Sequence, residues 1–192
     1  MKKLITMTLA SVLVASAAYG QGQVSFKNYF GNVNTDPAVF ASGGTTKLQG
    51  AQYLVGLYAG PTSGSEAQIA TTPFLTAAAA AGFFQAGTVS IPTVAGGATA
   101  FLTINVWDTT LNGTTTGATW AQALAYHAAN PGIANIEGQS TEFSLVPGAP
   151  PNPPTFLVPG LTSFSMNAVP EPSTFALAGL GAAALMIFRR RK

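Results

Sequence analysis

The chain has 192 residues, room for one ordinary domain plus targeting segments, and only 7% of them are charged, against roughly 25% in soluble domains. It has no cysteine, which excludes a disulfide framework, a thiol nucleophile and a thiolate metal site. The net charge of +2 comes from the ends, Lys2 and Lys3 at one and Arg189, Arg190, Arg191 and Lys192 at the other. Between residues 21 and 169, Lys27 and Lys47 stand against Asp36, Glu66, Asp108, Glu137 and Glu142, a net of −3 with His127 neutral. No basic patch is left there for nucleic acid.

Residues 1–20 read as a Sec-type signal peptide. Two lysines precede a largely apolar run over 4–18, and small residues, Ala18 and Gly20, stand at −3 and −1 before Gln21. Cleavage after Gly20 is the first choice and cleavage after Ala18 the second. The apolar run is short for an anchor, since a bilayer span takes roughly 20 residues. The expected partners at this end are the Sec translocon and signal peptidase.

Residues 21–167 are expected to form an exported β-rich domain. Strands are predicted over 24–29, 52–59, 83–91, 98–108, 141–146 and 156–166. In the fourth, Ala100, Leu102, Ile104 and Val106 share one apolar face, while Phe101, Thr103, Asn105 and Trp107 share a mixed one. The second is apolar on both faces (Tyr53, Val55 and Leu57 against Leu54 and Tyr58), as an interior strand requires. Turn clusters such as Ser42-Gly43-Gly44, Gly60-Pro61 and Gly96-Gly97 separate the runs. The expected fold is an antiparallel β-sandwich with one short helix.

That helix is predicted from Trp120 to about Ala129. Thr119 and Gln122 make a capping box, and Asn130-Pro131-Gly132 stops it. Trp120, Ala123, Leu124 and His127 recur at helical spacing as the packed face. One further turn is expected in 76–82, and 147–154, rich in proline, reads as an extended polyproline II loop.

The body offers little chemistry. His127 is the only histidine and falls on the packed face of the helix, so a structural role is expected. Serines and Asp108 are present, but no serine sits in a Gly-x-Ser-x-Gly elbow, and Ser63-Gly64-Ser65 reads as a turn. Glycoside hydrolysis needs two carboxylates about 5–10 Å apart; Glu137 and Glu142, five apart, would point to opposite faces of one strand. Asp108 and Asn112 lack the acid-rich loop of a calcium site, and Asn112-Gly113-Thr114 reads as a turn. A candidate sugar platform is Trp107 with Tyr53 and Tyr58, against which stands a plain core role for the indole. No catalytic residue, metal or cofactor is expected.

The last 25 residues, 168–192, read as a sorting tail. Val169, Pro170, Glu171 and Pro172 lead into an uncharged apolar segment, a transmembrane helix over 174–188, which Arg189, Arg190, Arg191 and Lys192 close. Residues 175–188 would rise about 21 Å as a helix, short of the roughly 30 Å hydrocarbon core. Such a marginal span suits a segment held briefly and then cut. The basic cluster stays cytoplasmic, which leaves the body outside. Pro-Glu-Pro cannot join the helix and stays extended, the shape a protease binds.

The order Pro-Glu-Pro, apolar helix, basic cluster resembles the PEP-CTERM sorting tail. The resemblance implies an exosortase that cuts near Pro170-Glu171-Pro172 and passes the body to the envelope or the extracellular polymer. Gln23-Val24-Ser25-Phe26-Lys27-Asn28, the stretch 52–61 and Val106-Trp107-Asp108 are similar to a body that recurs with such tails and has no established activity. The reading that results is an exported, non-enzymatic structural or adhesive component of the cell envelope or matrix. The alternative is a carbohydrate-binding module for exopolysaccharide, which needs exposed, coplanar aromatics. An envelope enzyme comes third and needs a pocket that joins His127 or two carboxylates.

Overall fold

The computed structural model describes residues 20–158 and 160–167. In chain order they form β1 (Gln21–Lys27), β2 (Val39–Phe40), β3 (Tyr53–Gly60), β4 (Ala67–Pro73), β5 (Gln85–Ala95), β6 (Ala100–Asp108), α1 (Trp120–Ala129), β7 (Glu137–Gln139), β8 (Phe143–Leu145), β9 (Thr155–Phe156) and β10 (Phe164–Ser165). The chain is mainly β, with several sheets and one α-helix among the described residues.

The alternation in β6 organises the larger sheet. Ala100, Leu102, Ile104 and Val106 are fully buried, and across the ladder Ala59, Leu57 and Val55 of β3 face Leu102, Ile104 and Val106. The β-branched and aliphatic side chains suit this pleated, dry surface. β3 lies between β4 and β6, the interior position expected from its two apolar faces. β7 and β8 follow one another along the far side of β6. Between them Ser140 continues the pairing: its N–H donates to the Ile104 carbonyl (2.9 Å) and its hydroxyl accepts from the Ile104 N–H (3.0 Å).

A second sheet has the order β5-β1-β9, and a small one pairs β10 with β2. Val24 and Phe26 of β1 and Ile91 of β5 are fully buried in the same core as the apolar face of β3 and β6. At roughly 25 cal/mol per Å² of apolar area removed from water, this shared core is the main favourable contribution to folding.

Several expectations need correction. The sheets are not wholly antiparallel, because β9 joins β1 in parallel and β10 joins β2 in parallel. The strand expected over 156–166 is two short strands in different sheets, since residues 157–163 carry the chain from one sheet to the other. The strand expected over 141–146 shortens to β8, and β4 was missed because Ala67–Pro73 is mostly exposed and shows no apolar alternation. The loop over 147–154 bends instead of running extended: the Asn152 N–H donates to the Ala149 carbonyl (2.8 Å) and closes a turn.

The helix has the predicted limits and cap. The Thr119 hydroxyl accepts from the Gln122 N–H, and the Gln122 side chain accepts from the Thr119 N–H, an arrangement worth about 1 kcal/mol. Its packed face is narrower than the spacing suggests. Ala123 is fully buried, Trp120, Tyr126 and His127 are half-buried, and Leu124 is 43% exposed. The helix lies over one end of the larger sheet, where Trp107, Leu111, Ala118, Ala123 and Ile136 make a second apolar cluster. Among the described residues no helix is long and apolar enough to cross a membrane; the span expected over 174–188 lies outside them.

Candidate functional site

The three aromatics of the expected sugar platform do not share a surface. Tyr53 points into the main core and is 8% exposed. Trp107 lies on the opposite face of the sheet, 3% exposed, under α1. Its Nε1–H donates to the Ala118 carbonyl (2.8 Å), and its ring packs against Trp120 with centroids 6.2 Å apart. Only Tyr58 reaches the surface, where its hydroxyl donates to the Gln68 Oε1 (2.7 Å). The platform therefore fails on burial. Among the described residues the exposed aromatics are instead Phe30 and Phe156, an edge-to-face pair with the Lys27 ammonium 4.9 Å and 5.1 Å from the two ring centres.

The charged candidates are each tied to local structure. Asp108 is buried, and its carboxylate accepts from the Thr110 N–H and hydroxyl (both 2.7 Å) and the Asn112 N–H (2.8 Å). It thus fixes the turn after β6, in which Leu111 and Asn112 hold positive φ. His127 Nδ1 lies 2.9 Å from Glu137 Oε1 and joins α1 to β7. Glu137 and Glu142 belong to different segments, not one strand. Among the described residues no three His, Asp or Glu side chains converge.

Glu142 instead meets the turn after β3. It accepts from the Ser63 hydroxyl (3.0 Å) and the Gly64 N–H (3.2 Å), which also reaches Glu66 (3.2 Å). Hydrogen bonding with Glu66, then with Ser63 and to a lesser degree with Gly64, holds the Glu142 carboxyl below its ordinary 4.5, against the opposing effect of desolvation. A depressed folded pKa adds stability above the unfolded value and loses it as the pH falls through the folded one. Carboxyl NMR should find the Glu142 midpoint below 4.5, and Ser63→Ala should move it upward.

The most highly connected polar side chain near the C-terminal edge is Asn167. Its Oδ1 accepts from the N–H groups of Ile136 (2.7 Å) and Glu137 (3.1 Å), and its Nδ2 donates to the Ile133 carbonyl (2.8 Å). Its own N–H donates to the Glu137 carbonyl (2.7 Å), and its carbonyl accepts from Asn135 (3.1 Å). Before it, the buried Met166 donates to Phe40 (2.9 Å). The next residue begins the apolar, arginine-terminated tail, and residues 168–192 match the PEP-CTERM protein-sorting motif. The chain carries a PEP-CTERM tail. An exosortase is its processing partner, and the chain is an exported protein whose sorting signal anchors it in a membrane.

Val169, Pro170, Glu171, Pro172 and the cluster Arg189 to Lys192 fall within the PEP-CTERM match but outside the described residues, and Ala18 too lies outside the described residues. Beyond the tail, no curated protein and no solved structure matches the chain. Asn167 was missed in the sequence because nothing about a lone asparagine before a proline-rich motif signals four filled hydrogen-bonding groups. At the other end, Gly20 is described: its carbonyl accepts from the Gly96 N–H (2.8 Å), one residue before β1.

Proposed function

We propose that the exported body is a non-enzymatic structural component of the cell envelope or extracellular matrix that adheres to further copies of itself through its sheet edges. Residues 1–20 take it through the Sec translocon and 21–167 form the body, with its two larger sheets as the layers of a sandwich. Exosortase then acts on 168–192 and delivers the body to the surface, where exopolysaccharide is its surroundings. Signal peptidase cuts after Ala18 or Gly20. The cut after Ala18 keeps the Gly20 carbonyl in its bond to Gly96, whereas a cut after Gly20 removes it.

One observation carries the adhesive role. β4 and β5 are edge strands of seven and eleven residues, in contact with each other on one flank, and neither has a charged side chain. Edge strands are templates for pairing with another chain, and proteins that stay apart blunt them with lysine, proline or bulges. Here each strand has a proline, β4 has a bulge at Ile69 and β5 slips register at Ala86 and over 92–94, but neither strand carries a lysine. The exposed Thr and Ser side chains of β5 leave the backbone approachable. The engagement of His127 with Glu137 and of Asp108 with its own turn supports the non-enzymatic part of the reading.

Sedimentation of the processed protein should show concentration-dependent association. Thr71→Lys with Thr88→Lys and Ser90→Lys, all at exposed edge positions, should return it to the monomer by charge repulsion. A parent that stays monomeric over the whole range would remove the adhesive role.

A further inference from the structure

Asn167 does more than close the body. Only Ala168 and Val169 separate it from Pro170, and three trans peptide units span at most about 11 Å. Pro170 is therefore never farther than that from a residue whose backbone and side chain are both hydrogen-bonded into the body. The segment ahead of it is equally fixed, with β10 paired to β2 and Met166 buried. It also crosses directly over Gly138 of β7, where a Cβ atom would come within 2.8 Å of the Met166 Cα. A protease takes its substrate as an extended strand whose backbone groups are available for pairing. On the body side of Pro170, those groups are already committed from Asn167 backward.

We propose that Asn167 is a positioning residue for tail processing: it latches residues 164–167 into the body and so slows the cut near Pro170-Glu171-Pro172 once the body has folded. The inference rests on the sorting function and is independent of the adhesive role. The latch opens by the loss of Asn167's bonds to 133–137, which frees four further residues for the enzyme. A chain that is still folding, with its last segment undocked, is then the faster substrate. Folding and sorting compete, and the Asn167 bonds set the balance.

The test is a pulse-chase of the full chain in its native host, following loss of the tail. A six-residue Gly/Ser spacer between Asn167 and Ala168 leaves every contact of the body in place. It should raise the rate of tail removal about tenfold, the order expected when one or two net hydrogen bonds no longer oppose the step. Asn167→Ala and Gly138→Ala should also raise it. Asn167→Asp, which keeps the acceptor for Ile136 and Glu137 but loses the donor to Ile133, should fall between parent and Asn167→Ala. A spacer chain processed at the parental rate or more slowly would overturn the latch. A parental chain that keeps its tail would overturn the sorting function itself, and the latch with it.

Discussion

Trp107→Ala should lower the free energy of unfolding by about 3–5 kcal/mol, the range for removal of a large buried aromatic, against total domain stabilities of about 5–15 kcal/mol. The indole lies over Gly56, where a Cβ would stand 2.9 Å from its ring, and it holds Trp120 and Ala123 of the helix against the sheet. Its removal empties the centre of the second apolar cluster and also leaves the Ala118 carbonyl without its donor. Trp107→Phe keeps most of the apolar contact and loses the hydrogen bond, so a cost of about 1–2 kcal/mol is expected. Urea unfolding of the two variants, followed by circular dichroism, checks both. Unchanged stability together with lost retention on exopolysaccharide would restore the sugar platform and sink the structural role of this residue.

The same tryptophan shows how far the sequence could be read. Its position on the mixed face of a strand was legible from alternation alone, because period-two patterning fixes the face of every residue in β6. What covers that face was not legible. The helix was found from its cap and its spacing, but docking it on the outer face of the larger sheet is a tertiary choice that buries Trp107 and exposes Leu124. Strands without apolar alternation, such as β4 and the two-residue β9, take their identity from the neighbour they pair with and leave little trace in composition. The tail was legible for the opposite reason. A sorting signal is read as linear sequence by its enzyme, so its order of proline, apolar run and arginines has to be written along the chain.

Asn28 lies beyond that kind of legibility, and its replacement carries the other large expected effect. The side chain is fully buried just past the end of β1. Its Nδ2 donates to the carbonyls of Pro37 (2.8 Å) and Gly82 (3.0 Å), and its Oδ1 accepts from the Phe84 N–H (2.7 Å). It thereby joins three segments: the end of β1, Pro37 nine residues on, and 82–84 more than fifty residues on. Asn28→Ala leaves the Pro37 carbonyl and the Phe84 N–H without their partner in a dry interior, while the Gly82 carbonyl keeps the Val39 N–H (3.0 Å). Two orphaned groups cost about 1–3 kcal/mol each, so a loss of about 2–5 kcal/mol is expected.

Asn28→Asp separates the hydrogen bond from the packing. A carboxylate still accepts from Phe84, but it turns negative oxygen toward two carbonyls that previously received donors. Burial and those carbonyls both disfavour the charged form, so the folded pKa of the new carboxyl rises above the unfolded value of about 3.9. With a raised folded pKa, the variant is closest to the parent below about pH 3.9 and loses stability as the pH climbs through the folded value. Urea midpoints of parent and variant should therefore converge in acid and separate toward neutral pH. Parallel curves at all pH values would mean that the Asn28 amide is reached by water and does not hold the three segments together.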